Sequence, residues 1–438
     1  MRTGNVGRAL AVLSTLLFTA CGDGEQSVAD ASAGGSTHNT TSSSTSSGTS
    51  SLCEPSETAC EGYASELPFR LGEHSAVSVP ESGTMIVFGG SHALPTATCD
   101  AGPTDTSNET WIYSEACNAW KQATASGPGR RSRHVAAYGS GKMWVFGGRN
   151  RDQSATSGNY TVYDEFWAFD LASNTWDDVP FETEAPPARY SAAMVWDSAR
   201  KRLWLFGGNT APDGVSLSLL NDVWSYEPEN NRWSSAETTG DIPVRRQWHG
   251  MVYDESRDRL VVHGGVDPTF EYLTDTLALD LESLTWERLD DGGAEAPSER
   301  FWGSFVYRQE QRDYLWFGGH DNGNLGNRND LYSFDPETNT WHRLFEGDTW
   351  NKPGNALCDF PPDFATIDAS LPERRHATSM VWSAACERVL LFGGKTDCGI
   401  VDDLWSYADG WQKLQRATEG EVCLRWRDDP DRCTSLCQ

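Results

Sequence analysis

The chain has 438 residues, with 63 acidic against 35 basic side chains and a formal net charge of −28. Such a chain repels phosphate backbones, so nucleic acid is not an expected partner, because that binding runs on Lys and Arg neutralising phosphates. The charge favours solubility and leaves the fold open, while the length admits one large all-β unit or several smaller domains.

In chain order, Arg2 and Arg8 precede the apolar stretch ALAVLSTLLFTA, which runs into Cys21 and Gly22. A basic start, a short apolar region and small residues before a cut describe a secretory signal over residues 1–20. The run is too short to span a bilayer. Its end, LFTAC, resembles a bacterial lipoprotein signal, with Phe18 where that class usually has Leu. The resemblance implies lipidation of Cys21, membrane association through the lipid, and a place in the cell envelope, periplasmic or at the surface. An ordinary signal cut after Ala31 or Ala33, giving a secreted protein, is the alternative. Residues 21–52 include STHNTTSSSTSSGTSS, too polar to bury a core and read as a flexible tether.

Removing Cys21 from eleven cysteines leaves ten, and an exported chain would use them as five disulfides. Cys53 and Cys60 fall in an N-terminal flank (53–69), and Cys423, Cys433 and Cys437 in a C-terminal tail (415–438). At least one bridge between the flank pair and the tail trio is expected. Such a bridge would reinforce ring closure, which otherwise rests on side-chain packing between the first and last repeats. Local pairing, Cys53 with Cys60 and two of the trio together, is the rival.

Between the flanks, six apolar runs end in a double glycine: MIVFGG, MWVFGG, RLWLFGG, LVVHGG, YLWFGG and LLFGG. The residues before the glycines are Phe88, Phe146, Phe206, His263, Phe317 and Phe392, separated by 58, 60, 57, 54 and 75 positions. A period of that length marks a propeller or a similar array. Each unit carries an Arg-led segment such as RRQWHGMVY, then the double-glycine run. A segment with an acid two residues before an aromatic follows, and then a turn ending on Trp. Four short β runs separated by turn residues make an antiparallel meander.

This order resembles the kelch repeat over residues 70–414. Departures are Leu277 in place of an aromatic, His263 in place of Phe, and Arg70 one residue out of register. The resemblance implies an all-β fold, a six-bladed kelch β-propeller with four-stranded antiparallel blades and strands A to D from the channel outward. The glycines would end strand B where a Cβ collides with packed neighbours. Trp120, Trp176, Trp233, Trp286, Trp341 and Trp411 would pack between blades.

On the face shared by the start of strand A and the B–C loops, each unit but the first supplies an Arg (Arg131, Arg189, Arg246, Arg300, Arg375). Acids recur in all six (Glu109, Glu165, Asp222, Asp275, Asp330, Asp403). Recurrence marks them as framework, expected to form inter-blade ion pairs. A binding site needs its residues only once, so positions that vary between units point to the ligand face: Arg133, Tyr190, Trp248, Phe301, Trp302 and His376. Stacking rings with hydrogen-bonding groups suit a protein or carbohydrate ligand. Packing under long loops is the structural reading of the same residues.

His92, His134, His249, His320 and His376 should also fall on this face and are the metal-ligand candidates. Copper-radical oxidases resembling galactose oxidase share the scaffold. That chemistry needs two Tyr, two His and a free Cys, whereas the cysteines here count out as pairs. Sialic acid mutarotases, another exported kelch class, need only a few polar groups. A monomeric binding protein without cofactor is therefore the leading expectation, with a sugar-active enzyme as the alternative.

Overall fold

Strand A of each repeat alternates side chains toward the channel and toward a neighbouring sheet, and strand B is apolar throughout because both its faces are covered. In the computed structural model, which describes residues 51–53, 60–64, 68, 70–93, 104–151, 159–181, 184–321, 326–351, 365–366, 368, 370–396 and 399–416, this patterning yields six sheets built on four-stranded antiparallel meanders, with three two-stranded ribbons beside them. Blade one comprises Ser75–Val79, Thr84–Phe88, Thr110–Ser114 and Ala119–Gln122. Blade six comprises Ser379–Ser383, Arg388–Thr396, Gly399–Tyr407 and Trp411–Gln415. The four blades between them follow the same order. Cys21, the tether and the tail cysteines lie outside the described residues.

The core is divided into six apolar layers, one between each pair of neighbouring blades. Each strand-D tryptophan meets the residue before the double glycine of the preceding blade. The ring centroids are 4.8 Å apart for Trp176 with Phe88, 5.4 Å for Trp233 with Phe146 and 5.3 Å for Trp286 with Phe206. The series continues at 4.6 Å for Trp341 with His263, 5.1 Å for Trp411 with Phe317 and 4.8 Å for Trp120 with Phe392. The last pair closes the circle.

The double glycines do more than end a strand. In blades three, five and six, pairing resumes beyond them after a bulge, as between Phe206 and Gly208. The second glycine of every pair has φ between 95° and 108°, a conformation L side chains rarely adopt. The steric reading holds at the first glycine as well, where a Cβ on Gly147 would stand 2.4 Å from the Arg189 carbonyl oxygen of the next blade.

Two expectations need correction. The framework arginines pair within blades, because strand A entry and strand C entry of one sheet are adjacent. Arg189 grips Asp222 through two bonds of 2.7 Å, Arg246 grips Asp275 at 2.8 and 2.9 Å, and Arg375 grips Asp403 at 2.7 and 3.0 Å. Arg131 with Glu165 and Arg300 with Asp330 repeat the pattern. Bridging between blades is done by the backbone of Arg131, Arg189 and Arg246, whose carbonyls accept the amide of the preceding blade's second glycine, as from Gly208 to Arg246 at 2.9 Å. In blade one Leu71 takes this place, accepting from Gly394 at 2.7 Å. The acid two residues before the aromatic also accepts the indole N–H, as from Trp224 to Asp222 at 2.7 Å.

The second correction concerns closure. Among the described residues no strand is shared between blades one and six, yet the seam is stitched by more than packing. Cys53 bonds Cys386 in the A–B hairpin of blade six, and Cys60 bonds Cys117 in the C–D turn of blade one. Both flank cysteines are thus tied to the propeller, neither to the tail nor to each other. Across the same seam the Arg388 Nε–H donates to Glu115 at 2.8 Å, and the Trp120 Nε1–H to Gln415 at 2.6 Å.

Candidate functional site

The start of strand A passes through a left-handed residue in every blade: Glu73, Arg133, Ser191, Trp248, Trp302 and Ala377, with φ between 52° and 61°. Non-glycine residues seldom adopt this conformation without support. Here the support is a closed circle of backbone hydrogen bonds. The amide of Glu73 donates to the carbonyl of Ala377 at 3.0 Å, Arg133 to Glu73 at 2.9 Å and Ser191 to Arg133 at 2.8 Å. Trp248 then donates to Ser191 at 3.2 Å, Trp302 to Trp248 at 3.0 Å and Ala377 to Trp302 at 3.2 Å. The backbone is uniform around the axis while all but the two tryptophan positions carry different side chains.

A second tier surrounds this circle. The residue after each double glycine bridges to the residue before the left-handed one, in the pairs Ser91 with Gly72, Arg149 with Ser132, Asn209 with Tyr190, Val266 with Gln247, Phe301 with His320 and Lys395 with His376. Apart from His320, these residues after the glycines escaped the sequence reading. Their signal was present: the position directly after an invariant double glycine differs in all six units.

The expected site residues meet here. Trp248 and Trp302 stack at 5.2 Å with 19° between planes, and Phe301 stacks on Trp248 at 4.9 Å. The Arg133 guanidinium lies 4.8 Å from the Trp302 ring centre and is held by Glu73 through two bonds of 2.9 Å. Lys395 reaches Glu73 as well, at 2.5 Å. These cations hold the Glu73 carboxyl well below the usual range against the opposing effect of burial, its largest single influence. His376 and His320 each direct Nδ1 at Asn327 Oδ1, at 2.7 and 3.1 Å. Tyr190 stands apart from the tryptophans, buried beside Arg149.

The metal candidates separate. His134 and His249 lie buried beneath the face, edge-on to Phe88 and Phe206, and serve as packing against the preceding blade. His92 sits on a short ribbon paired with Asp105, away from the His320–His376 pair. Among the described residues no three His, Cys, Asp or Glu side chains gather as a metal site.

Burial drives the rings of His74, His249 and His263 down to about 3, and His134 and His376 well below their ordinary value. The native state therefore binds fewer protons than the unfolded chain below about pH 6.5. Stability should be flat above that pH and fall as the pH drops from 6.5 toward 3, by about 1.4 kcal/mol per pH unit for each histidine forced to stay neutral. Urea midpoints at pH 7.5, 6 and 5 check this, and an unchanged midpoint at pH 5 contradicts it.

At the other end of the channel a cavity of about 470 Å³ reaches the A–B hairpins, lined by strand A side chains that include Tyr138, Trp196, Tyr253, Tyr307 and Trp382.

Six sheets, each built on a four-stranded meander, with Arg–acid pairs inside the blades and double glycines and tryptophans between them, define a kelch-type β-propeller with a chemically varied upper face. The chain belongs to the kelch-repeat family: the family model described as the KLHDC2/KLHL20/DRC7 Kelch-repeats domain matches residues 34–210 and 197–355. Similar proteins include kelch domain-containing protein 10 of Xenopus tropicalis, 27% identical over 64% of this chain and 62% of its own length. The rat protein of the same name is 27% identical over 50% of this chain and 52% of its own. Acyl-CoA-binding domain-containing protein 4 of Arabidopsis thaliana is 30% identical over 54% of this chain and 34% of its own. The chain spans about half to three fifths of the length of the kelch domain-containing relatives it matches.

Proposed function

We propose that this chain is an exported, lipid-anchored kelch propeller that acts by binding, with its ligand, protein or carbohydrate, seated on the upper face around Arg133, Tyr190, Trp248, Phe301, Trp302 and His376. The observation that carries the reading is the circle of left-handed residues. Six equivalent backbone positions hold Glu, Arg, Ser, Trp, Trp and Ala. A purely structural ring has no need for that variety, whereas a site for an asymmetric ligand does. Partly exposed aromatic rings beside a held arginine suit stacking combined with hydrogen bonding.

The anchoring half of the reading is supported by where the chain enters the propeller. Leu52 lies against Gly83 in the A–B hairpin of blade one, and Cys53 is tied to Cys386, both at the end opposite the ligand face. The described residues that enter the propeller therefore leave the upper face uncovered.

The full chain on a glycan and peptide array should give a hit that Trp302→Ala weakens; a hit indifferent to Trp302, or none, contradicts the binding reading. Separately, Cys21→Ser should move the protein from the membrane fraction to the soluble one with its melting temperature unchanged, since one lipid-bearing cysteine is isolated from the fold by the tether. Retention in membranes after a salt wash contradicts the anchor.

A further inference from the structure

Arg149 follows the double glycine of blade two and is 95% removed from solvent, yet among the described residues its Nε and Nη1 have no hydrogen-bond partner. Its guanidinium is sandwiched between aromatic faces, 3.9 Å from the Tyr160 ring centre and 4.6 Å from that of Tyr190. The framework arginines are equally buried, but each has a carboxylate of its own. Arg149 has none. The one buried carboxylate nearby, Glu73, is already shared by Arg133 and Lys395. Three cations around one anion leave an excess of positive charge in a chain whose net charge is −28. Buried charges are otherwise paired, and a cation held dry without a counter-ion is costly. The tyrosine faces offset part of that cost, and the Tyr190 side chain interacts with the guanidinium, but Nε and Nη1 stay unpartnered among the described residues.

We infer that Arg149 is the anion-receiving group of the upper face and that the ligand is an acidic saccharide, with its carboxylate or sulfate oxygens taking the Nε–H and Nη1–H of Arg149. This rests on the binding reading above and narrows it. The surroundings favour a sugar. Arg133, which grips the Glu73 carboxylate, lies on the Trp302 ring, and Trp302 stacks with Trp248, so partly exposed rings on which a pyranose can stack stand on the same face. The net charge favours a small anion. A long polyanion would be repelled by a chain of net charge −28, whereas a single anionic group beside Arg149 lies within the screening length of about 8 Å of the cations there. Opposite Arg149, the loop carrying Gly214 packs on Tyr160, where a Cβ would stand 2.5 Å from the ring. Tyr160 is thereby held against the guanidinium.

Calorimetric titration of the full chain in 0.15 M NaCl with glucuronate, glucose 6-sulfate and glucose tests the inference. At least one of the two acidic sugars should bind at least tenfold more tightly than glucose, and which of them does so identifies the anion. Arg149→Met should abolish that preference, while Arg149→Lys should retain part of it. The same Arg149→Met chain should melt no lower than the native one, because the substitution removes an unpaired buried charge and keeps the stem that fills the space. A structural arginine would behave in the opposite way. Equal binding of all three sugars, a preference unchanged in Arg149→Met, or an array hit confined to peptides would overturn the inference. A hit that depends on Trp302 but not on Arg149 would overturn it while leaving the binding reading intact.

Discussion

Arg246→Ala should be the most damaging single substitution among the residues of the upper face, lowering stability by about 3–5 kcal/mol. The reason lies in what remains. Asp275 is buried and held below its usual range by Arg246 against the effect of burial, and Arg246 also donates to the Gly264 carbonyl at 3.0 Å. Removing the guanidinium strands a carboxylate and a glycine carbonyl inside the blade, with only Arg288 at 3.3 Å to replace it. Trp248→Ala should behave differently. That ring is partly exposed and stacks on other residues of the face, so its loss should reduce ligand binding with a much smaller change in melting temperature. Thermal melts of both variants decide the matter, and equal losses would contradict the division between framework and binding residues.

Cys386→Ser should produce the second large effect. The Cys53–Cys386 bridge spans 333 residues of chain, and the chain-entropy model gives on the order of 5 kcal/mol for a loop of that length. The seam between blades one and six keeps its other links, including the Glu73–Ala377 backbone bond and the Glu73–Lys395 pair. The variant should therefore fold and retain its upper face while unfolding at a markedly lower urea concentration. A midpoint within error of the native chain would show that those links alone close the ring.

The fold was legible because a repeat states its rules six times. The Trp that ends each unit, the double glycine and the Arg–acid pair recur at matched places, and each proves to have one physical role. Some of the details that were missed do not repeat. Cys53 and Cys60 each have one partner, chosen by where the flank crosses the A–B hairpin end, and spacing carries no trace of that path. The direction of the Arg–acid pairs was misjudged because adjacency between blades and adjacency within a blade look alike in sequence. For the site, the variable position two residues after the framework Arg was readable, and it led to Arg133, Trp248 and Trp302. Arg149 was not singled out. Its meaning comes from having no carboxylate of its own among the described residues, which only the placement of its neighbours in space reveals.

Amide hydrogen exchange on the full chain, with and without the best array ligand, tests the account most directly, because two faces of one channel compete for the role of binding site. Ligand should slow exchange in the segments around Ser132–Arg133, Arg149–Asn150, Gln247–Trp248 and Phe301–Trp302, and leave the A–B hairpins unchanged. Protection confined to the hairpin end, at Tyr138, Trp196 and Tyr253 beside the 470 Å³ cavity, would contradict it.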